Sequence, residues 1–210
     1  MNEFEEVHAM LRKIVPTKKT GAEPYHLSGK PLPFTVSNFW ATAFSDMLTN
    51  MTRGTVAEYL VCKALGLDDQ VMNDYDSYDA VTRDGRKIEV KCSAYLQRWP
   101  QKALSKIIFD IRLRRAYDYD LFEFVGEPRR HSDIYVFSCH HHKDKGTVDP
   151  LDLTQWSFYV APTSRINEVF PTAKTASLSE IIRKLSPVQT DFAGLKDAVE
   201  SIQIPIQTTA

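Results

Sequence analysis

Tyr78-Asp79-Ala80-Val81-Thr82-Arg83-Asp84-Gly85-Arg86-Lys87-Ile88-Glu89-Val90-Lys91-Cys92 is the stretch on which the reading of this chain turns. It reads as two short strands joined at Arg83-Asp84-Gly85, because Asp-Gly between alternating runs is a strong hairpin signal. A two-residue turn at Asp84-Gly85 would set Asp79 opposite Val90. A three-residue loop from Arg83 to Gly85, with Gly85 left-handed, sets Asp79 opposite Glu89. Strand side chains alternate faces. In the three-residue register one face carries Tyr78, Ala80, Thr82, Ile88, Val90 and Cys92, which is mostly apolar. The other carries Asp79, Val81, Lys87, Glu89 and Lys91. A slip by one residue would mix the two sets, and burial resists that. The pattern therefore predicts the three-residue loop, with Asp79, Glu89 and Lys91 on one face.

Facing carboxylates repel unless something positive lies between them. A hard divalent cation such as Mg²⁺ (or Mn²⁺) suits all-oxygen ligands and a partly hydrated site. Lys91 would lie beside that metal, placed to orient a water or to neutralise a phosphoryl oxygen. This is equipment for metal-assisted hydrolysis of a phosphodiester. The three letters alone also fit a solvated hairpin; the apolar back face and the helix before it favour the site.

Asp79 followed after a gap by Glu89-Val90-Lys91 resembles the D…(D/E)-x-K signature of the PD-(D/E)xK, or restriction-endonuclease-like, nuclease superfamily, with Tyr78 where that family nominally has Pro. The run Glu89–Gln97, with Asp149-Pro150-Leu151-Asp152 and Trp156–Val160, also resembles an uncharacterised bacterial family with this core. The resemblance implies a three-layer α/β core whose mixed central sheet is flanked by helices. It implies metal ligation by Asp79, Glu89 and the Val90 carbonyl. Glu58, on the helix before the hairpin, is the position that matches a further carboxylate of the metal shell. Thr55-Val56-Ala57-Glu58 also reads as a capping box, so both roles stand open for Glu58. Gln97, preferred to Ser93 for its reach, matches the polar residue that assists such sites; both also read as residues of a strand exit.

Composition bounds the rest. With 210 residues, a single domain is expected: a helical N-terminal extension over 1–51, a nuclease-like core over 52–186, and a C-terminal helix and tail over 187–210. Lys+Arg is 26 and Asp+Glu is 27, for a net charge of −1, so any nucleic-acid surface must be a patch. Cys62, Cys92 and Cys139 are widely spaced and odd in number, which argues against disulfides and paired-cysteine zinc sites. The acidic start lacks the pattern of a signal peptide, and no apolar run is long enough to span a bilayer. A reduced, cytoplasmic location fits.

Along the chain, an amphipathic helix is expected over Glu3–Val15 and a loop over Thr17–Pro33. An aromatic helix over Phe34–Met51 should pack Phe39, Trp40 and Phe44 into the core, and a second helix should run from Thr52 to Leu67, ended by Gly66. Asp74 and Asp76 lie near Asp79 but lack its alternation. Ile107–Arg115 alternates as a half-buried strand, and Lys102, Lys106, Arg112, Arg114 and Arg115 are the expected phosphate contacts. Asp118–His131 reads as a loop, Asp133–Ser138 as a buried central strand, and Cys139-His140-His141-His142 as a strand end with solvated imidazoles. A strand over Trp156–Val160, a helix over Ser177–Leu185 and a last helix over Asp191–Ile202 complete the chain.

The function expected is a metal-dependent endodeoxyribonuclease, in a setting of restriction, phage defence or repair. The alternative is a catalytically inactive module of the same fold that binds nucleic acid or protein. DNA is the expected partner, and the sequence leaves a homodimer open.

Overall fold

The computed structural model describes residues 14–69, 71–72 and 76–204. Residues 3–13 of the helix expected over Glu3–Val15 lie outside them, as do Asp74 and residues 205–210. Ile14 and Val15 are exposed and outside any helix.

Where a loop is expected over Thr17–Pro33, the chain forms a hairpin of β1 (Pro24–Leu27) and β2 (Lys30–Thr35). Its turn residues Ser28 and Gly29 both have positive φ, 50° and 77°, the geometry whose twist suits a two-residue hairpin. Pro31 and Pro33, which argue against a strand, are tolerated because β2 pairs on one side only. α1 (Val36–Phe44) is shorter than the helix expected over Phe34–Met51, and none of its residues is buried. Phe39, Trp40 and Phe44, expected in the core, are exposed.

α2 (Asn50–Leu65) starts before the expected Thr52 because Thr49 caps it, accepting the Thr52 N–H at 3.2 Å. It ends on Gly66 at φ 67°, a left-handed position that glycine adopts without strain. Because the cap is Thr49, the capping box read at Thr55–Glu58 does not form, and Glu58 lies within the helix.

The chain continues through β3 (Ala80–Val81), β4 (Lys87–Ala94), β5 (Ile108–Asp110), β6 (Arg114–Asp118), β7 (Glu123–Arg129), β8 (Ile134–His140) and β9 (Trp156–Pro162). Then come α3 (Thr163–Val169), β10 (Thr175–Ser177), α4 (Leu178–Leu185), β11 (Val188–Thr190) and α5 (Leu195–Glu200). The hairpin closes in the predicted register: Ala80 pairs with Ile88 and Val81 with Lys87. Thr82 N–H reaches the Arg86 carbonyl at 2.9 Å, leaving Arg83–Gly85 as the loop, with Gly85 at φ 87°.

The central sheet runs β11-β9-β8-β4-β3 and is mixed: β4 and β8 are parallel, and the other pairs are antiparallel. Every residue of β8 is buried, which explains its near-continuous apolar run. On one face Ile88, Val90, Ile134, Val136, Trp156 and Phe158 meet α2 and α5. On the other, Tyr135, Phe137, Tyr159 and Ala161 meet β5, α3 and α4. This is the expected three-layer α/β arrangement, and β11 and α5 complete it. Each large apolar side chain here contributes about 1.5–3 kcal/mol on burial. A one-residue slip of β4 would exchange Ile88 and Val90 for Glu89 and Lys91 in the core, so the register is held by several such side chains at once.

Two expectations about the middle of the chain need correction. The strand read over Ile107–Arg115 breaks at residues 111–113 into β5 and β6, and β5 pairs with β10 instead of joining the central sheet. The loop read over Asp118–His131 is the β6–β7 hairpin. Tyr117 holds it by packing on Tyr119 and Phe124, with ring centroids 4.9 and 5.2 Å apart.

His140 is a third correction: it is fully buried against Trp156, not solvated, with ring centroids 4.8 Å apart. A contact with the Asp149 backbone favours the protonated ring, but burial outweighs it. Burial, with Arg53 nearby, pushes its pKa down from 6.5 to about 4. A depressed histidine pKa means that the unfolded chain binds the proton first as pH falls. Stability should be full above pH 6.5 and decline between about 6.5 and 4, by on the order of 3 kcal/mol from this residue. His141, lowered by burial, adds to the slope in the same direction. Urea denaturation across this window checks it: His140→Leu should flatten most of the slope.

Candidate active site

Asp79 precedes β3, where its backbone N–H reaches the Ile88 carbonyl at 2.9 Å. Its carboxylate then takes over from the ladder: Oδ2 accepts the Val90 N–H at 2.6 Å. In an extended strand the N–H and C=O of one residue point to the same side, so the Val90 carbonyl faces the edge where Asp79 stands. The Ala80–Ile88 register puts Asp79 opposite Glu89.

Glu89 is mostly buried and ion-paired with Lys91, two residues along the same face. Burial raises the Glu89 carboxyl above its ordinary range; Asp79 adds to the rise, and Lys91 and Arg114 oppose it. The four charged groups therefore share one electrostatic environment. Across the parallel pairing, Glu89 stands beside Tyr135, whose hydroxyl is pushed up first by burial and then by Glu89.

Glu89, Lys91 and Tyr135 line a cleft of about 490 Å³. The opposite wall comes from the segment after β5 and from the β6–β7 hairpin: Arg112, Arg114, Arg115, Arg129, Arg130 and His131. The arginines differ in what holds them. Arg130 is buried, its guanidinium spent on the carbonyls of Ile111 and Phe170 (both 2.8 Å) and on Asn167 Oδ1 at 2.7 Å. Arg115 ties the hairpin through the carbonyls of Gly126 and Phe124, at 2.9 and 2.8 Å. His131 Nε2–H donates to the Arg114 carbonyl at 2.7 Å. Arg112 and Arg114 both reach Asp110, at 2.8 and 3.1 Å. Arg129 is exposed, and its guanidinium makes no hydrogen bond or ion pair among the described residues.

Of the expected site residues, Asp79 accepts from Val90 and stands opposite Glu89, which pairs with Lys91; Glu89 and Lys91 line the cleft with Arg112, Arg114 and Arg115. Lys102 and Lys106 are exposed but do not line it. Glu58 lies on α2, outside the lining of this cleft; it and Asp79 both add to the rise of the Cys62 thiol, which burial pushes up to about 11. Gln97 is buried away from the cleft, bonding the Arg53 guanidinium, the Ala94 carbonyl and Ser105. Ser93 lies on β4 itself. Sequence reasoning set Asp76 aside, yet it borders both this cleft and a smaller one of about 200 Å³ that contains Asp79. Asp110, Arg129, Arg130, His131 and Tyr135 were also missed; only the charge run Arg129-Arg130-His131 gave a signal.

Among the described residues, no three His, Cys, Asp or Glu side chains gather as a ready-made metal cluster, and no helix is long and apolar enough to cross a membrane. The family model for bacteriophage T4 endonuclease IV matches residues 40–180, about two-thirds of the chain. No curated protein matches it significantly.

Proposed function

This chain belongs to the bacteriophage T4 endonuclease IV family, and we infer that it is a metal-dependent DNA endonuclease of the PD-(D/E)xK kind. The observation that carries the reading is the register of the Asp79–Lys91 hairpin. It sets Asp79 opposite Glu89, and Glu89 and Lys91 line an arginine-walled cleft.

The donor set fits a hydrated hard cation better than a dedicated cage. Mg²⁺ keeps several waters and is held by one or two carboxylates, which is what Asp79, Glu89 and the Val90 carbonyl offer, with Glu58 on the α2 side. When bound, the ion would lower the pKa of a water and polarise the phosphoryl oxygen. The chain's own groups do the rest. Lys91 holds the attacking water and offsets charge on the phosphoryl oxygens. The arginine wall grips flanking phosphates. A bond forms from the water oxygen to phosphorus as the bond from phosphorus to the 3′-oxygen breaks. The attacking water releases a proton to solvent and the leaving oxygen takes one from it, which leaves a 3′-hydroxyl and a 5′-phosphate.

Incubation of plasmid, linear duplex and single-stranded DNA with Mg²⁺, Mn²⁺ or a chelator tests this. Cleavage with a metal and none with chelator is expected, with products that accept ligation through a 5′-phosphate. Cleavage that survives chelation, or none on any substrate, would contradict the reading.

One observation favours a non-catalytic binding module: Asp79 is engaged by a backbone N–H and Glu89 by Lys91. That protein would bind DNA and never cut it. Either way the arginine wall is testable. Arg129→Ala should weaken DNA binding about equally for all sequences and lower the salt-dependence slope by about 1, measured by fluorescence anisotropy.

A further inference from the structure

We propose that the N-terminal arm, formed by β1, β2 and α1, is the interface through which this chain dimerises, and that what covers it is the same arm of a second copy. The arm has defined structure without a core. Tyr25 packs on Phe34 at 5.0 Å, Phe39 on Phe44 at 6.0 Å, and the Ser37 hydroxyl donates to the Gly21 carbonyl at 2.9 Å. Yet no residue of β1, β2 or α1 is buried. A lone two-stranded hairpin is marginal in water, and a nine-residue helix is too short to stand by its own propensity. An element of this kind needs a covering surface.

The chemistry of the arm selects that surface. From Val36 to Phe44, α1 carries no charged residue, and it exposes Phe39, Trp40 and Phe44. Aromatic enrichment with charge depletion marks the centre of a protein–protein interface. DNA would call for cations on this helix, and there are none; the arginines stand in the cleft instead. Because α1 is uncharged, two copies can oppose it across a two-fold axis without facing like charges. A two-fold interface must be self-complementary in this way. The size also fits. A standard interface takes roughly 20–30 residues from each side, and the arm from Pro24 to Phe44, none of whose elements is buried, is of that length. Most of β1, β2 and α1 lies ahead of the matched family span, which begins at residue 40. Trp40 and Phe44 lie within that span, and the dimer is proposed independently of the nuclease reading.

Sedimentation equilibrium of the full chain, without DNA or metal, tests the proposal. Wild type should run at about twice its 24.0 kDa chain mass and remain so at high salt, since the contact is apolar. Phe39→Glu and Phe44→Glu should each halve the mass and leave the circular dichroism unchanged. Lys174→Glu, exposed between α3 and β10 and outside the arm, should leave the dimer intact. A wild type that stays at the single-chain mass at tens of micromolar overturns the proposal. So does a dimer that survives both phenylalanine substitutions. If the chain is monomeric and Phe39→Glu weakens its binding to single-stranded DNA, the arm belongs to nucleic acid and the dimer is wrong.

Discussion

Lys91→Met is expected to lower the DNA cleavage rate by roughly 10²–10³-fold, the range seen when one preorganised charge-stabilising donor is removed. Methionine keeps the apolar stem and deletes the ammonium, so packing changes little. Two consequences separate this from unfolding. First, the Glu89–Lys91 pair is mostly but not wholly buried, so its loss should cost roughly 1–3 kcal/mol, short of the 5–15 kcal/mol that holds a typical domain. Second, Glu89 loses the strongest influence opposing the rise of its carboxyl pKa. Its carboxyl rises further, and a protonated carboxyl does not ligate a cation. Mg²⁺ binding by Lys91→Met should therefore need a higher pH than wild type. Single-turnover cleavage and a pH series of metal titrations read the two effects apart. A variant that cuts at the wild-type rate would remove Lys91 from the mechanism.

Arg130→Met is expected to be the most destabilising single substitution on the cleft wall, by about 3–5 kcal/mol. Its guanidinium joins the segment after β5 to α3 and to the turn that follows it. Methionine fills much of the volume but leaves the Ile111 and Phe170 carbonyls and the Asn167 side chain without their donor. Each such buried orphan costs about 1–3 kcal/mol. The same bonds fix the start of the hairpin that carries Arg114 and Arg115, so DNA affinity should fall along with the thermal midpoint. Differential scanning calorimetry and anisotropy on one preparation check both. A loss of affinity without a loss of stability would mean that Arg130 touches DNA directly.

The central hairpin was legible because two independent signals agree there. Period-two alternation fixed the faces, and Gly85 supplied the left-handed residue that the three-residue loop needs. β8 was legible as a run buried on both faces, and α4 through Ser177, which accepts the Glu180 N–H at 3.4 Å. The β6–β7 hairpin was hidden because Asp118, Asp120, Glu123, Gly126 and Pro128 all speak against strands. What forms it is aromatic packing around Tyr117 and the reach of Arg115 to two carbonyls, contacts that no local pattern displays. That hairpin carries much of the cleft wall, so Arg129 went unnoticed with it. His140 was misread because a run of three histidines looks solvated, whereas only the sheet shows that the first is the last inward residue of β8. Asp76 was set aside by strand alternation, which does not apply to a residue that lies outside any strand.

The central claim is that Asp79 and Glu89 form a shared carboxylate centre for a divalent cation. Calorimetric titration of Mg²⁺ into wild type, Asp79→Asn and Glu89→Gln, with folding checked by circular dichroism, tests it most directly. Binding in wild type and its loss in both folded variants is the predicted result. A wild type that binds no Mg²⁺ with or without DNA, or folded variants that bind it as tightly as wild type, would contradict the account.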